Sequence, residues 1–217
     1  MNDFEKISKK LYRELRKELP GFSAQKLMAP LGKKPPIEYL KENVVPKESA
    51  VLILLYPEKD TFFPTLILIE RADYDGRVHS GQIAFPGGSF DKNSDIDLMQ
   101  TALRETEEEI GITKETAHVL GQLTPLYIPV SNFMVTPFLS TVAEKPSCSI
   151  QDKEVKGIIE VRIAELFSEK NKSKTIKHIK VKNQNMEVPC YTINGKIIWG
   201  ATAMILSELE EIIKRME

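Results

Sequence analysis

Arg104-Glu105-Thr106-Glu107-Glu108-Glu109-Ile110-Gly111-Ile112 is the stretch on which the reading of this chain turns. At about 100° per residue, Glu105, Glu108 and Glu109 share an arc of roughly 100° on a helix. Met99, Ala102, Leu103, Thr106 and Ile110 occupy the opposite arc and are expected to face a core, while Glu107 projects elsewhere. The acids are therefore sorted as well as abundant. Like charges at i,i+3 and i,i+4 repel by about a few tenths of a kcal/mol per pair, and carboxylates near a helix C-terminus oppose its dipole. Cations bridging the carboxylates relieve both penalties. Hard divalent ions such as Mg²⁺ take oxygen ligands and commonly bind through a few carboxylates plus substrate phosphates. An isolated glutamate run is more often a solvated face. The glycines upstream, in Phe85-Pro86-Gly87-Gly88, set this one apart.

Outward from that segment, the acidic helix is expected from about Asp95 to Ile110, stopped by Gly111. Ala50 to Tyr56 and Pro64 to Glu70 read as strands separated by the polar turn Pro57 to Thr61, and Gln82 to Phe85 as a short third strand. Further strands are expected over His118 to Ile128, Met134 to Val142, Lys156 to Arg162 and Thr175 to Val181. Met186 to Ile193 and Lys196 to Trp199 flank Asn194-Gly195, a strong hairpin signal. Phe4, Ile7, Leu11, Tyr12, Leu15 and Leu19 mark one face of an N-terminal helix stopped at Pro20-Gly21, and Ile205, Leu209, Ile212, Ile213 and Met216 mark one face of a final helix. A proline-rich connection (Pro30, Pro35, Pro36, Pro46) lies between the first helix and the first strand. Strands mixed with three helices predict an α/β/α sandwich with a mixed sheet. Residues 1–45 are read as a helical extension packed on a domain spanning 46–217.

Thirty Lys and Arg stand against 31 Asp and Glu, for a net charge of −1, so no global field draws the chain to nucleic acid or an anionic membrane. An anionic small molecule would have to be met by a local cluster of basic side chains. No apolar run approaches the ~20 residues needed to span a bilayer. The start of the chain lacks the layout of a secretory signal, and Cys148 and Cys190 make neither a disulfide framework nor a zinc site. These features predict a reducing, cytoplasmic setting with no nucleic-acid or membrane partner, and they are compatible with a homodimer.

The acidic segment resembles the second half of the Nudix box, the signature of hydrolases acting on nucleoside diphosphates linked to another group. Arg104-Glu105, Glu108-Glu109, Gly111 and Ile112 match by spacing, Thr106 stands at a usually aliphatic position, and Gly88 corresponds to the glycine that opens the box. The resemblance implies a Nudix fold, a Mg²⁺ or Mn²⁺ cofactor held by Glu105, Glu108 and Glu109, and an orienting role for Arg104. The stretch from Gly88 to Arg104 is two residues longer than the family's usual spacing. The glutamate expected between them is absent: Ile96 or Ser94 falls there, depending on the direction of counting. Asp91, Asp95 and Asp97 are each placed to substitute, and the sequence does not choose among them.

Upstream, Ile67-Leu68-Ile69-Glu70-Arg71-Ala72, Arg77, Gly81 and Phe85-Pro86-Gly87-Gly88 are similar to the additional signature of the coenzyme A diphosphatases within this family. One extra residue lies between Ala72 and Arg77, and Ile69 stands where threonine is usual. Arg71, Arg77, Gly81, Phe85, Gly87 and Gly88 become the candidate substrate-binding residues. Paired guanidinium groups suit phosphate oxygens, and glycines let the backbone approach a ligand closely. The Trp199-Gly200-Ala201-Thr202 turn also resembles this subgroup and is read as structural, with Trp199 buried. The implied reaction is hydrolysis of the diphosphate of coenzyme A or its thioesters to 3′,5′-ADP and 4′-phosphopantetheine or its acyl form. Water would attack one phosphorus while a carboxylate, Glu105 or the loop residue Glu154, accepts its proton. ADP-ribose or reduced NAD as substrate, and a nucleotide-binding module without turnover, are the competing expectations.

Overall fold

The computed structural model describes residues 2–30, 34–61, 63–72, 81–179 and 182–216. In chain order its elements begin with helix α1 (Asp3–Glu14) and the short helix α2 (Phe22–Gln25), followed by strands β1 (Lys47–Pro57), β2 (Pro64–Arg71), β3 (Ile83–Ala84) and β4 (Gly87–Ser89). Helix α3 (Leu98–Ile110) leads into strands β5 (His118–Gln122), β6 (Leu126–Ile128), β7 (Phe133–Thr141) and β8 (Val155–Arg162). The short helix α4 (Ile163–Leu166), strands β9 (Lys172–Ile179), β10 (Gln184–Ile193) and β11 (Lys196–Trp199), and helix α5 (Gly200–Lys214) complete the order. Two 3-10 turns, Lys26–Met28 and Pro36–Tyr39, lie between α2 and β1.

β1 is central because alternate residues enter different cores. Leu52, Leu54 and Tyr56 pack with Ala102 and Ile110 of α3, whereas Ile53 and Leu55 pack with Phe4 and Leu11 of α1 and Leu206 and Leu209 of α5. A strand presents successive side chains to opposite faces, so one covered on both faces reads as a continuous apolar run. That is the character of residues 50–56. The main sheet runs β3-β2-β1-β7-β5, with β4 also on β1, β6 on β7 and β8 on β2. β1 is parallel to β7 and antiparallel to β2 and β4, so the sheet is mixed, with helices on both faces, as expected. β9, β10 and β11 form a separate antiparallel meander, whose Tyr191, Ile193 and Ile198 join the core beneath α5. No helix among the described residues is long and apolar enough to cross a membrane.

Several boundaries differ from the sequence expectations. α3 begins at Leu98 because the Asp97 carboxylate accepts the Gln100 N–H at 2.8 Å and caps the helix there, leaving Asp95 outside it. Met99, expected in the core, is exposed at this first turn. α1 ends at Glu14, although Leu15 and Leu19 still pack on the core from the turns that follow. Residues 118–128 form two strands instead of one, since the connection between them is tied off by the Leu123 N–H bonding to the Pro137 carbonyl at 2.9 Å. α2 and α4 span four residues each, too short to leave a helical period in the sequence.

Candidate active site

The site begins where α3 lies across β1 and β4. Val51 and Ala50 of β1 pair with Gly87 and Gly88 of β4. A Cβ at Gly87, whose φ is +148°, would stand 2.3 Å from the Ala50 carbonyl oxygen, so this glycine is required by the neighbouring strand. A Cβ at Gly88 would stand 2.3 Å from the Glu105 carboxyl carbon, so this one is required by the acidic helix. The Phe-Pro-Gly-Gly signature is thus a seat for a carboxylate.

Glu109 is buried, and its carboxylate accepts the Gly87 N–H at 2.9 Å and lies 3.4 Å from the Arg71 guanidinium. Burial pushes its pKa up to about 7, with the charges of Glu105 and Glu154 adding, against the opposing pull of the Gly87 N–H and Arg71. Glu105 is half-buried and also raised, first by burial. Glu108 projects outward, its side chain 57% exposed. A single Arg104 nitrogen, Nη1, donates to both Glu105 at 2.9 Å and Glu108 at 3.1 Å. Glu107 is exposed, as its position on the helix implied.

The remaining face of Arg104 meets Asp95. Nε and Nη2 donate to its two carboxylate oxygens at 2.8 and 2.9 Å, and Nη2 also reaches the Ser89 carbonyl at 3.3 Å. Asp95 is buried and receives the Thr101 hydroxyl at 2.9 Å and the Asp91 N–H at 3.0 Å. Arg104 above all holds this carboxyl well below the usual carboxylate range. Asp91 is occupied in its own turn by Asn93 and Ser94, and Asp97 by the helix cap. Of the three aspartates the sequence left open, Asp95 is the one that holds the arginine.

Glu154 arrives on a loop tied to the C-terminal end of α3, where Ser149 and Gln151 N–H groups bond the carbonyls of Ile110 and Glu109, each at 2.9 Å. These bonds satisfy carbonyls a helix end leaves open. Glu154 is also anchored through its carbonyl to the Ala72 N–H at 2.9 Å, beside Arg71. A cavity of about 850 Å³ opens in front of these groups, lined in part by Arg71, Phe85, Gly87, Gly88 and Glu154. Gly81 is not among its lining residues, and Phe85, although on the border, is buried within the core beneath α5. Arg77 lies outside the described residues. Trp199, expected to be buried, is half-buried and lines the cavity, as do Ala29, Pro30, Lys34 and Pro36 from the N-terminal segment. The proline-rich composition of that segment signalled an ordered connection or a loop, and no sequence pattern pointed it at the site.

Among the described residues, no group of three or more His, Cys, Asp or Glu side chains is arranged to hold an ion. The donor chemistry nonetheless suits a hard divalent cation. Glu105 and Glu109 are carboxylates withdrawn from water and within reach of one another's charge and that of Glu154. A cation among them would offset both the burial and the repulsion.

Comparison with known proteins places this architecture. The family model described as the NUDIX domain matches residues 46–181, more than half of the chain. The "Uncharacterized Nudix hydrolase NudL" of Yersinia pestis (strain Pestoides F) is 37% identical over 165 residues, covering 76% of this chain and 79% of that protein. Its counterpart from Yersinia pseudotuberculosis (serotype O:1b, strain IP 31758) matches to the same extent. Among solved structures, the Nudix hydrolase RenU from M. smegmatis superposes with a TM-score of 0.54 at 16% identity, covering 80% of this chain and 89% of that one. A MutT/nudix family protein from Enterococcus faecalis superposes with a TM-score of 0.53 at 19% identity, covering 82% and 66%. The structural likenesses bear on the fold, and the family model and the relatives on descent: this chain belongs to the Nudix family and has its fold.

Proposed function

We propose that this protein is a diphosphate hydrolase of the Nudix family whose substrate is coenzyme A or a coenzyme A thioester, cleaved to 3′,5′-ADP and 4′-phosphopantetheine or its acyl form. The observation that carries the reading is the buried Glu109, held near Glu105 between the Gly87 N–H and Arg71, two residues that line a cavity of about 850 Å³. Glu105, Glu108 and Glu109 would hold Mg²⁺ or Mn²⁺, which when bound supplies charge neutralisation and polarisation of the diphosphate. Arg104, fixed by Asp95, orients Glu105 and Glu108. Glu105 or Glu154 accepts the proton of the attacking water. Arg71 lines the cavity at the end of β2, where a register shift separates it from Glu70 in the pairing with β8, and it is the described cation best placed to meet phosphate oxygens.

The coenzyme A assignment rests on the Arg71 to Gly88 signature. It is tested by incubating the protein with Mg²⁺ and coenzyme A, ADP-ribose or reduced NAD, and identifying products by mass spectrometry. 3′,5′-ADP from the first substrate supports the reading. Turnover confined to the other two replaces it with a different diphosphate specificity.

A further inference from the structure

One wall of the cavity is built from residues that precede the Nudix-matched stretch. Ala29, Pro30 and Pro36 line it together with Ile128, Val130 and Phe133 of the β6–β7 turn. The 3-10 turn Pro36–Tyr39 packs on β6, and Lys26–Met28 packs on α5. Most of this wall is carbon; Lys34 and Ser131 are its polar side chains. Among the described residues lining the cavity, Glu154 is the one carboxylate. A sugar-bearing arm brings several hydroxyls that lose free energy when buried without acceptors, whereas the apolar end of an acyl chain has no hydrogen bonds to lose there.

The wall is held from behind by a buried acid. Glu208 of α5 is fully buried, and its carboxylate takes the Gly21 N–H at 3.0 Å, the Gln25 side-chain amide at 2.9 Å and the Thr124 hydroxyl at 2.6 Å. The adjacent Ser207 hydroxyl donates to the Ala24 carbonyl at 2.8 Å. A charge placed in the interior is costly unless its lone pairs are met. Here the donors are all neutral and come from the N-terminal segment and the β5–β6 connection. Glu208 does not itself line the cavity. Its bonds set the path of residues 21–25, just ahead of Ala29 and Pro30.

Resting on the diphosphatase reading above, we propose that Ala29, Pro30 and Pro36 form the specificity wall for the non-nucleotide arm of the substrate, favouring a neutral arm with an apolar end over a sugar, and that Glu208 is the positioning residue for that wall.

Trp199 is the chain's one tryptophan and lines the cavity, so its fluorescence reports occupancy without turnover. The experiment titrates octanoyl-coenzyme A and ADP-ribose without divalent cation, and in parallel measures hydrolysis of both with Mg²⁺. The thioester is expected to bind at least about tenfold more tightly than ADP-ribose. Val130→Glu and Pro30→Glu are expected to weaken the thioester about tenfold and ADP-ribose by much less. Glu208→Ala should raise KM for the thioester about tenfold while sparing kcat. Glu208→Gln should largely restore it, because Gln25 can turn its amide to meet the new donor. Should Glu208→Ala fail to fold, Val130→Glu, on the half-exposed turn, carries the test. Equal affinities in the wild type, or a thioester preference that survives both wall variants, overturns the proposal. An affinity difference that persists without hydrolysis of either ligand supports the wall and strikes the diphosphatase reading alone.

Discussion

Arg104 donates two hydrogen bonds of 2.8 and 2.9 Å to the two carboxylate oxygens of Asp95, whose side chain is 1% exposed. Asp95 lies between Ser94 and Ile96, the two positions at which the resemblance leads one to expect a glutamate. The stretch between Gly88 and Arg104 carries this acid back beneath the arginine nine residues further on. Paired forks of this kind are geometrically specific. Arg104 is thereby aimed so that its remaining nitrogen reaches Glu105 and Glu108 together.

Removing that grip should be felt in stability. Asp95→Asn is expected to cost about 3 kcal/mol, the lower end of the range for breaking a buried pair, since Arg104 keeps some solvent and two other acids. Urea denaturation measures it. A loss under half a kcal/mol would show that Glu105 and Glu108 hold the arginine unaided.

The same pair predicts an acid limb. The folded-state pKa of Asp95 is depressed below its unfolded value of about 3.9, so its contribution is present above that value and lost as pH falls through it toward the folded pKa. Wild-type stability should therefore fall more steeply below about pH 4 than that of Asp95→Asn. Parallel curves for the two proteins, from denaturation at several pH values, would remove the pair as the cause.

The two adjacent glycines should fail in different ways. Gly87→Ala drives a methyl against the β1 backbone, which cannot yield, and is expected to destabilise by about 3 kcal/mol or more. Gly88→Ala meets the Glu105 carboxylate first, a side-chain end that can swing aside at a cost of about 1 kcal/mol. Displacing that carboxylate is expected to slow hydrolysis about 100-fold. Melting temperatures and initial rates on the two variants separate packing from positioning.

Glu108→Gln leaves the fold intact, because the side chain is largely exposed. It should reduce kcat about 10³-fold, equivalent to about 4 kcal/mol of barrier. Retention of activity within about tenfold of wild type would remove Glu108 from the metal site.

Mg²⁺ or Mn²⁺ binding should also appear as stability without any substrate. At about 100 times the dissociation constant, a cation contributes about 2.7 kcal/mol to the native state. Thermal melts with and without Mn²⁺ are expected to show that gain in the wild type and little of it in Glu109→Gln. An equal gain in both proteins would place the ion elsewhere.

Much of this was legible along the chain because it depends on local periodicity. Residues 50–56 read as a strand, and Asn194-Gly195 read as a hairpin turn, with both residues at positive φ and Ile193 paired with Lys196. The facing of Glu105 and Glu109 away from solvent was harder to read. The helical wheel grouped them with Glu108, yet only Glu108 stays largely exposed, because β4 and the 149–154 loop close over the other two.

By itself the sequence determined the strand of residues 50–56, the host helix with its sorted acids and the glycine pair ahead of it, since repeating geometry fixes which side chains share a face. It could not separate Asp91, Asp95 and Asp97, which lie within seven residues and share one chemistry. Only the irregular path from Ser89 to Leu98 turns Asp95 beneath Arg104 and leaves its neighbours to cap a turn and a helix. The wall of Ala29, Pro30 and Pro36 was likewise decided by tertiary packing. Nothing periodic marks these residues, and they reach the cavity because the buried carboxylate of Glu208, near the other end of the chain, takes hydrogen bonds from Gly21 and Gln25 ahead of them.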